Sequence, residues 1–200
     1  MKLYHSPTSP FGRKVMALIL ETGLSGRVEI IAASGSPLAP GTLPTGLNPL
    51  GKIPALVRDG GGVIYDSRVI CRYLDDLTQA GLYPADRLWE VLTLEAMADG
   101  ILEAALLMVY ETRLRPEDKR FGDWVEAQWT KIGRALTALE GNGIARLSGP
   151  VDMGQIALGC ALGYLDFRHG SRNWREGRPD LAAWEAGFVT RPAMKATVPV

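Results

Sequence analysis

The first 80 residues alternate between short apolar runs and helical patterns with their apolar residues on one side. Apolar runs bounded by Gly and Pro predict strands, and i, i+3, i+4 spacing predicts helices. The predicted strands are residues 2–5, 28–32, 54–57 and 63–65, and the predicted helices are residues 13–22 and 67–77. A loop at residues 33–51 joins the second and third strands, and a hairpin turn at residues 58–62 joins the third and fourth. A βαβ unit followed by a ββα unit is the layout of a thioredoxin-like α/β domain, which we assign to residues 1–79.

The pattern changes after a linker at residues 79–86, which contains Gly and Pro. Beyond it, helical spacing dominates and no strand signal is found. The predicted helices are residues 86–113, 116–140, 152–168 and 180–188, and residues 190–200 are predicted to form a tail. Asp152 and Gln155 form a capping box at the start of one helix. The sequence therefore predicts an all-α C-terminal domain over residues 86–200.

Composition excludes several classes of protein. The net charge is zero and 46% of the residues are hydrophobic, as in a globular protein that does not bind nucleic acid. No apolar run approaches the roughly 20 residues that span a bilayer, and no apolar segment follows the N-terminal lysine as in a secretory signal. Cys71 and Cys160 are too few for a disulfide scaffold, and their spacing matches no zinc site. We expect a cytoplasmic protein with no metal, no cofactor and no membrane partner.

The turn between the first strand and the first helix has the sequence SPTSPF, at residues 6–11. A hydroxyl at this place lies near unpaired N–H groups and the positive end of a helix dipole, which favour an anion such as a thiolate. An ordinary N-cap serine would explain the same residues and is the better interpretation of this turn taken alone.

A second candidate segment is NPLGKIPAL, at residues 48–56. Proline cannot donate a ladder hydrogen bond, so Pro54 belongs at the start of a strand. The bond between Ile53 and Pro54 is a candidate cis peptide, which would present the Ile53 N–H and C=O to an extended peptide ligand. A trans-proline edge strand is the alternative, and it is favoured if this segment is considered by itself.

A third candidate segment is YDSR, at residues 65–68, where a helix begins. Ser67 offers a hydroxyl and a backbone N–H to a carboxylate, and Asp66 offers an acceptor to an ammonium group. Together they suit the α-amino-acid end of a ligand. A simple capping pair is the alternative, and it is the more common explanation of an isolated Asp-Ser.

In combination, these features resemble the cytosolic glutathione S-transferase family over nearly the full length of the chain. The resemblance is carried by LYHSPTSPFGRKV, NPLGKIPALV, YDSRVICRYLD, the linker and the all-helical second half, while GQIALGCALGYLDFRHG is similar to a bacterial subgroup. Three residues depart from the family pattern but keep its chemistry. Asp152 and Gln155 replace the usual Ser or Thr and Asp, and Asp66 stands where Glu is frequent.

The resemblance implies that glutathione lies extended along the thioredoxin-like half. Its γ-glutamyl carboxylate would meet Ser67 and its α-ammonium would meet Asp66, with help from a partner subunit. Its cysteinyl backbone would pair with Ile53, which a cis Pro54 would hold outward. Lys52 would be placed for the glycyl carboxylate.

The resemblance places the glutathione thiol at the turn after the first strand, beside Thr8 and Phe11. Counting back from the RKV sequence, Ser9 falls where serine-type members carry their catalytic serine, with Thr8 one position earlier and Tyr4 as a tyrosine-type alternative. Pro10 holds the position of cysteine-type members, which argues against the thiol-disulfide and lyase variants. We expect Ser9 to stabilise the thiolate.

The resemblance also implies an electrophile pocket that includes Met108 and Tyr110, because their helix faces the thiol in the family. The predicted function is conjugation of reduced glutathione to small hydrophobic electrophiles, a detoxification reaction, by a homodimer. One alternative is another glutathione-dependent activity on the same site, as a peroxidase, isomerase or reductase. The other is a non-catalytic module that binds glutathione or another protein.

Overall fold

The computed structural model describes residues 1–200 and contains four strands and seven α-helices. The strands are Lys2–His5 (β1), Glu29–Ala32 (β2), Ala55–Val57 (β3) and Val63–Ile64 (β4). The helices are Pro10–Glu21 (α1), Ser67–Thr78 (α2), Leu88–Arg113 (α3), Gly122–Ala138 (α4), Met153–His169 (α5), Pro179–Phe188 (α6) and Pro192–Ala196 (α7). The predicted fold class, thioredoxin-like α/β followed by all-α, is confirmed.

The four strands form one mixed sheet in the order β2-β1-β3-β4. β1 runs parallel to β2 and antiparallel to β3, and β3 runs antiparallel to β4. Leu3 pairs with Ile30 on one side and with Leu56 on the other. Leu3 and Leu56 are fully buried, so the centre of the sheet forms part of the core.

Two helices supply the rest of the first core. Val15 and Leu18 of α1 and Ile70 and Leu74 of α2 are fully buried, at spacings that put each pair on one helix face. α1 contacts α2, and α2 contacts β3. The helical spacing in the sequence therefore corresponds to real packing in this half of the chain.

The helical part of the chain is built around α5, which is buried over most of its length. The Asp152 carboxylate accepts a hydrogen bond from the Gln155 N–H at 3.0 Å, so the predicted N-cap of this helix is present. Gly154 lets the first turn of α5 approach α3 closely, because a Cβ there would lie 3.0 Å from the side chain of Leu94. Cys160 of α5, like Cys71 of α2, is buried and forms no disulfide.

The chain divides into two compact units, residues 1–88 with 192–200 and residues 89–191. This division differs from the predicted one, in which residues 86–200 form a single domain. The difference arises at the buried Arg13 of α1, whose guanidinium donates to the Met194 carbonyl at 3.2 Å. The segment predicted as a tail thus contains α7 and packs with the first unit.

Two helix starts also differ from the sequence prediction. α1 begins at Pro10 instead of residue 13, because Ser9 caps the helix there and Pro10 occupies its first position. α4 begins at Gly122 instead of residue 116, because the residues after Pro116 form a short 3₁₀ turn. The buried Glu111 accepts a hydrogen bond from the Phe121 N–H at 2.9 Å, which holds the chain at the start of α4. None of the helices has the length and apolar character needed to span a membrane.

Candidate functional site

The three segments singled out in the sequence meet at one edge of the sheet. β1 pairs antiparallel with β3 through Tyr4 and Ala55, so the turn that follows β1 lies beside the residues that precede β3. β3 pairs antiparallel with β4 through Leu56 and Ile64, so the residues that follow β4 reach the same edge. The topology therefore gathers residues 6–11, 48–54 and 65–68 around one place.

Ser9 is the N-cap of α1. Its Oγ accepts a hydrogen bond from the Gly12 N–H at 3.1 Å, and Pro10 occupies the first position of the helix. The hydroxyl hydrogen of Ser9 has no acceptor within the chain. A serine in this state can cap the helix through its lone pair and still donate a hydrogen bond to an anion.

The other hydroxyls of the turn have different surroundings. Thr8 is exposed, and its Oγ1 lies 3.1 Å from the Oγ of Ser6. Phe11 is half-buried in the first turn of α1, and Tyr4 is half-buried on β1. Of these side chains, Ser9 alone sits at the N-cap of α1, where the helix dipole favours negative charge.

The loop before β3 has the geometry that the sequence suggested. The peptide bond between Ile53 and Pro54 is cis, which confirms the candidate. The Ile53 N–H and C=O make no hydrogen bond within the chain. Lys52 is exposed beside them. The loop thus presents one donor and one acceptor of the main chain and a mobile positive charge.

Asn48 holds this loop in place. It is 2% exposed, its side-chain amide donates to the Lys52 carbonyl at 2.9 Å, and its carbonyl oxygen accepts from the Leu50 N–H at 3.0 Å. One side chain therefore ties together both ends of the turn that leads to Ile53. Sequence reasoning assigned Asn48 no role, although it opens the NPLGKIP motif.

At the start of α2, Ser67 is the first helical residue and is 2% exposed. Neither its hydroxyl nor its N–H has a partner within the chain. Both are placed at the positive end of a 12-residue helix. Two unpaired donors at a helix N-terminus are suited to a carboxylate.

Asp66, joined to Tyr65 by a cis peptide bond, is the N-cap of the same helix. Its carboxylate accepts from the Arg68 N–H at 3.0 Å and pairs with the Arg68 guanidinium at 3.1 Å. Burial acts to raise the pKa of Asp66, but the hydrogen bonds and charge of Arg68 outweigh it and lower the pKa. Asp66 is therefore an ionised acceptor that is still half-exposed, although Arg68 competes for it.

The sequence assigned no role to two residues of this region, His5 and Gly12. His5 is buried at the end of β1 and its Nδ1 has no hydrogen-bond partner. A Cβ on Gly12 would overlap this nitrogen, so only glycine fits between the ring and the helix. The one signal in the sequence was Gly12 itself, which stands directly before the predicted helix of residues 13–22.

The two residues assigned to the electrophile pocket lie on α3. Met108 is buried and lines a cavity within the helical unit. Tyr110 is half-buried, and burial raises the pKa of its phenol.

The fold and the site together define a protein class in which a thioredoxin-like unit, with a cis-proline loop and a serine at a helix N-terminus, precedes a helical unit. The chain belongs to the glutathione S-transferase family. Residues 8–77 match the family model of the glutathione S-transferase N-terminal domain, and residues 122–187 match that of the C-terminal domain.

Full-length relatives agree with this assignment. The chain is 36% identical over 205 residues to the uncharacterized GST-like protein YibF of Escherichia coli K12, covering 100% of this chain and 98% of that protein. A glutathione transferase family member from Pseudomonas fluorescens Pf-5, solved with bound glutathione, is 48% identical with a TM-score of 0.97, covering 100% and 98% of the two chains. A glutathione S-transferase from Methylobacillus flagellatus KT, also with glutathione bound, is 36% identical with a TM-score of 0.89, covering 100% and 99%.

Proposed function

We propose that this protein is a glutathione S-transferase that conjugates reduced glutathione to small hydrophobic electrophiles. The single observation that carries the proposal is the pair of unpaired donors on Ser67, which faces the same sheet edge as the Ile53 backbone and the Ser9 hydroxyl. These groups match the three parts of an extended tripeptide thiol. Relatives at 48% and 36% identity hold glutathione in their structures, which supports the same ligand here.

Each part of glutathione has a complementary group. The γ-glutamyl carboxylate accepts from the Ser67 hydroxyl and N–H, and the α-ammonium donates to Asp66. The cysteinyl backbone pairs with Ile53 as an added strand would, and Lys52 neutralises the glycyl carboxylate. Thr8 and Phe11 border the sulfur. Glutathione is a co-substrate in this scheme, and no metal or other cofactor takes part.

Ser9 donates its free hydroxyl hydrogen to the sulfur and stabilises the thiolate. A free thiol has a pKa of about 8.5, and each unit of depression requires about 1.36 kcal/mol of preferential thiolate stabilisation. A charge-assisted hydrogen bond contributes about 1.5–3 kcal/mol, which together with the helix end lowers the thiol pKa by roughly two units. At neutral pH most of the bound glutathione is then thiolate.

The thiolate lone pair forms the new carbon–sulfur bond. In a substitution, the leaving group departs with its bonding electrons. In an addition to an activated alkene, the electrons move to the neighbouring carbon, which takes a proton from water. A second structure of the Pseudomonas fluorescens relative, 47% identical, was solved with bound S-(propanoic acid)-glutathione, a thioether of the type that conjugation produces. Met108 and Tyr110 would contact the electrophile, and a homodimer in the cytoplasm would carry out detoxification.

Two variants separate binding from chemistry. We expect Ser67→Ala to raise the Kd for glutathione in calorimetric titration by about tenfold or more, because a charge-assisted hydrogen bond is lost. We expect Ser9→Ala to lower turnover of chlorodinitrobenzene by about tenfold or more and to raise the Kd at neutral pH by no more than a few-fold. Ser25→Ala, an exposed serine of the same unit without hydrogen bonds, is the matched control and should change neither.

A third variant separates the capping role of Ser9 from its proposed chemical role. Aspartate caps helices as well as serine does, but an ionised carboxylate cannot donate to a thiolate and repels it. Ser9→Asp should therefore keep the stability of the wild type while the pKa of bound glutathione, measured by thiolate absorbance, rises to about 8.5 or above. Binding of glutathione without any depression of its thiol pKa in the wild type would favour a non-catalytic module, and turnover of peroxides alone would favour a peroxidase.

A further inference from the structure

A cavity of about 230 Å³ lies within the helical unit. Its apolar lining comes from Met108, Val109 and Val125, and its basic lining comes from Arg113, Arg168 and Arg172. Sites for drug-sized ligands usually measure about 300–1,000 Å³, so this cavity is suited to a smaller molecule. An apolar wall with several guanidinium groups is complementary to an apolar body that carries an acid.

Three acidic side chains near the lining residues, Glu111, Glu126 and Asp166, are already engaged by other groups. Glu126, which follows Val125, forms a two-point pair with Arg172 at 2.5 and 3.0 Å. Glu111, between lining residues of α3, pairs with Arg115 at 2.7 Å and accepts from the Phe121 N–H. Asp166, two residues before Arg168, pairs with Arg175 and accepts from the Trp174 indole at 2.9 Å.

Arg113 and Arg168 are consequently left without a carboxylate partner. The Arg168 guanidinium packs over the Phe167 ring at 3.9 Å, and its Nε is a buried donor without an acceptor. Buried donors of this kind are uncommon, because an unpaired buried polar group costs free energy. Arg168 thus lines the cavity and carries a donor that the chain leaves unsatisfied.

Arg113 and Arg168 both affect the electrostatics of one side chain, Tyr164. Burial raises the pKa of Tyr164, while the charge and side-chain hydrogen bond of Arg168 and the charge of Arg113 act to lower it. Both guanidinium groups thus lie within electrostatic range of one phenol, although they come from different helices, α3 and α5. An anion in the cavity would gain from both charges at once.

We infer that this cavity is a binding site for a small organic anion, a carboxylate attached to a short apolar body. The carboxylate is held by Arg113 and Arg168, and the apolar body contacts Met108, Val109 and Val125. Because Met108 is also assigned to the electrophile pocket, the cavity favours electrophiles that carry an acidic group, a consequence that rests on the proposed function. The binding site itself does not depend on the transferase reaction.

The test uses a pair of unreactive probes on the full chain without glutathione, so that its outcome is separate from that of the transferase assays. Calorimetric titration with 3-phenylpropanoate should give saturable binding at millimolar or lower concentration. The neutral amide, 3-phenylpropanamide, has nearly the same shape and should bind at least about tenfold more weakly. Equal affinity for the two probes, or no heat with the carboxylate, would overturn the inference.

Two arginine variants locate the site. Arg113 is exposed at its position on α3, so Arg113→Gln should fold normally and raise the Kd for the carboxylate about tenfold. Arg134→Gln changes an exposed arginine of the same unit that does not line the cavity, and it should leave the Kd within about twofold. If both variants weaken binding equally, the probe responds only to overall charge and the assigned site is wrong.

Discussion

The N–H of Gly12 donates a hydrogen bond to the hydroxyl of Ser9 at 3.1 Å, and this bond sets the direction in which the serine presents its remaining hydrogen. The same glycine lies against the buried ring of His5. The orientation of the candidate catalytic hydroxyl therefore depends on a contact between the end of β1 and the first turn of α1.

A methyl group at position 12 should disturb this arrangement. The new Cβ of Gly12→Ala would overlap His5 Nδ1, and either the ring or the helix must move. We expect the free energy of unfolding in urea to fall by about 1–3 kcal/mol, as in other overpacked cores. We also expect turnover to fall more than glutathione affinity, because Ser9 is displaced while Ser67 is not.

The control for this change is Gly26→Ala. A Cβ on Gly26 meets nothing within 4 Å, and the residue lies in the same unit. Its free energy of unfolding should stay within about 0.5 kcal/mol of the wild type. A Gly12→Ala protein as stable and as active as the Gly26→Ala protein would show that the His5 contact has no influence on Ser9.

The loop before β3 offers a second prediction. Asn48→Asp keeps the oxygen that accepts from Leu50 but replaces the donor to the Lys52 carbonyl with a second oxygen, so two acceptors face each other. We expect glutathione affinity to fall about tenfold or more, because the loop no longer holds Ile53 and Lys52 in place. Titration calorimetry measures this change.

A neighbouring substitution distinguishes a local effect from general destabilisation. Leu50 is 67% exposed, so Leu50→Ala should alter neither affinity nor stability appreciably. If Asn48→Asp bound glutathione as tightly as Leu50→Ala did, the Asn48 bridge would not be required for the site.

The buried His5 predicts a dependence of stability on pH. Burial lowers the pKa of His5 from 6.5 to about 4, so the folded protein keeps the ring neutral while the unfolded chain takes up a proton below pH 6.5. The stability contribution is complete above pH 6.5 and is lost progressively as the pH falls towards 4. The loss amounts to about 3 kcal/mol in urea unfolding.

His5→Phe should remove this part of the pH profile, because the ring is kept and the titrating nitrogen is not. Burial also lowers the pKa of His169, which lies in the other unit. His169→Phe is therefore the variant with which His5→Phe is compared. Parallel curves of unfolding free energy against pH for the wild type and His5→Phe would mean that His5 does not remain neutral in the fold.

Much of the candidate site was predictable because it rests on residues with strong local rules. Proline is confined to the start or edge of a strand, and an Asp-Ser pair is favoured at the start of a helix, so both segments could be located before their neighbours were known. Their meeting at one sheet edge then follows from the strand order, which the βαβ and ββα patterns predict.

Other features depend on contacts between residues far apart in sequence. The bridging role of Asn48 is visible only when both of its partners are placed, and the fit of Gly12 against His5 needs the distance between strand and helix. The late start of α4 follows from Glu111 binding the Phe121 N–H, which no local pattern contains. α7 was predicted as part of a tail, because a five-residue helix carries too little periodicity to detect.

Because Arg13 donates a hydrogen bond to Met194, close to the C-terminal end of the chain, the first unit completes its contacts only late in synthesis. Its sheet and the helices α1 and α2 leave the ribosome early. The buried guanidinium of Arg13 gains its carbonyl partner only after the whole helical unit has been translated. During that interval the nascent thioredoxin-like half carries an uncovered patch around Arg13 on α1, where α7 packs in the complete chain. A separately expressed fragment that stops at residue 88 would retain that patch permanently.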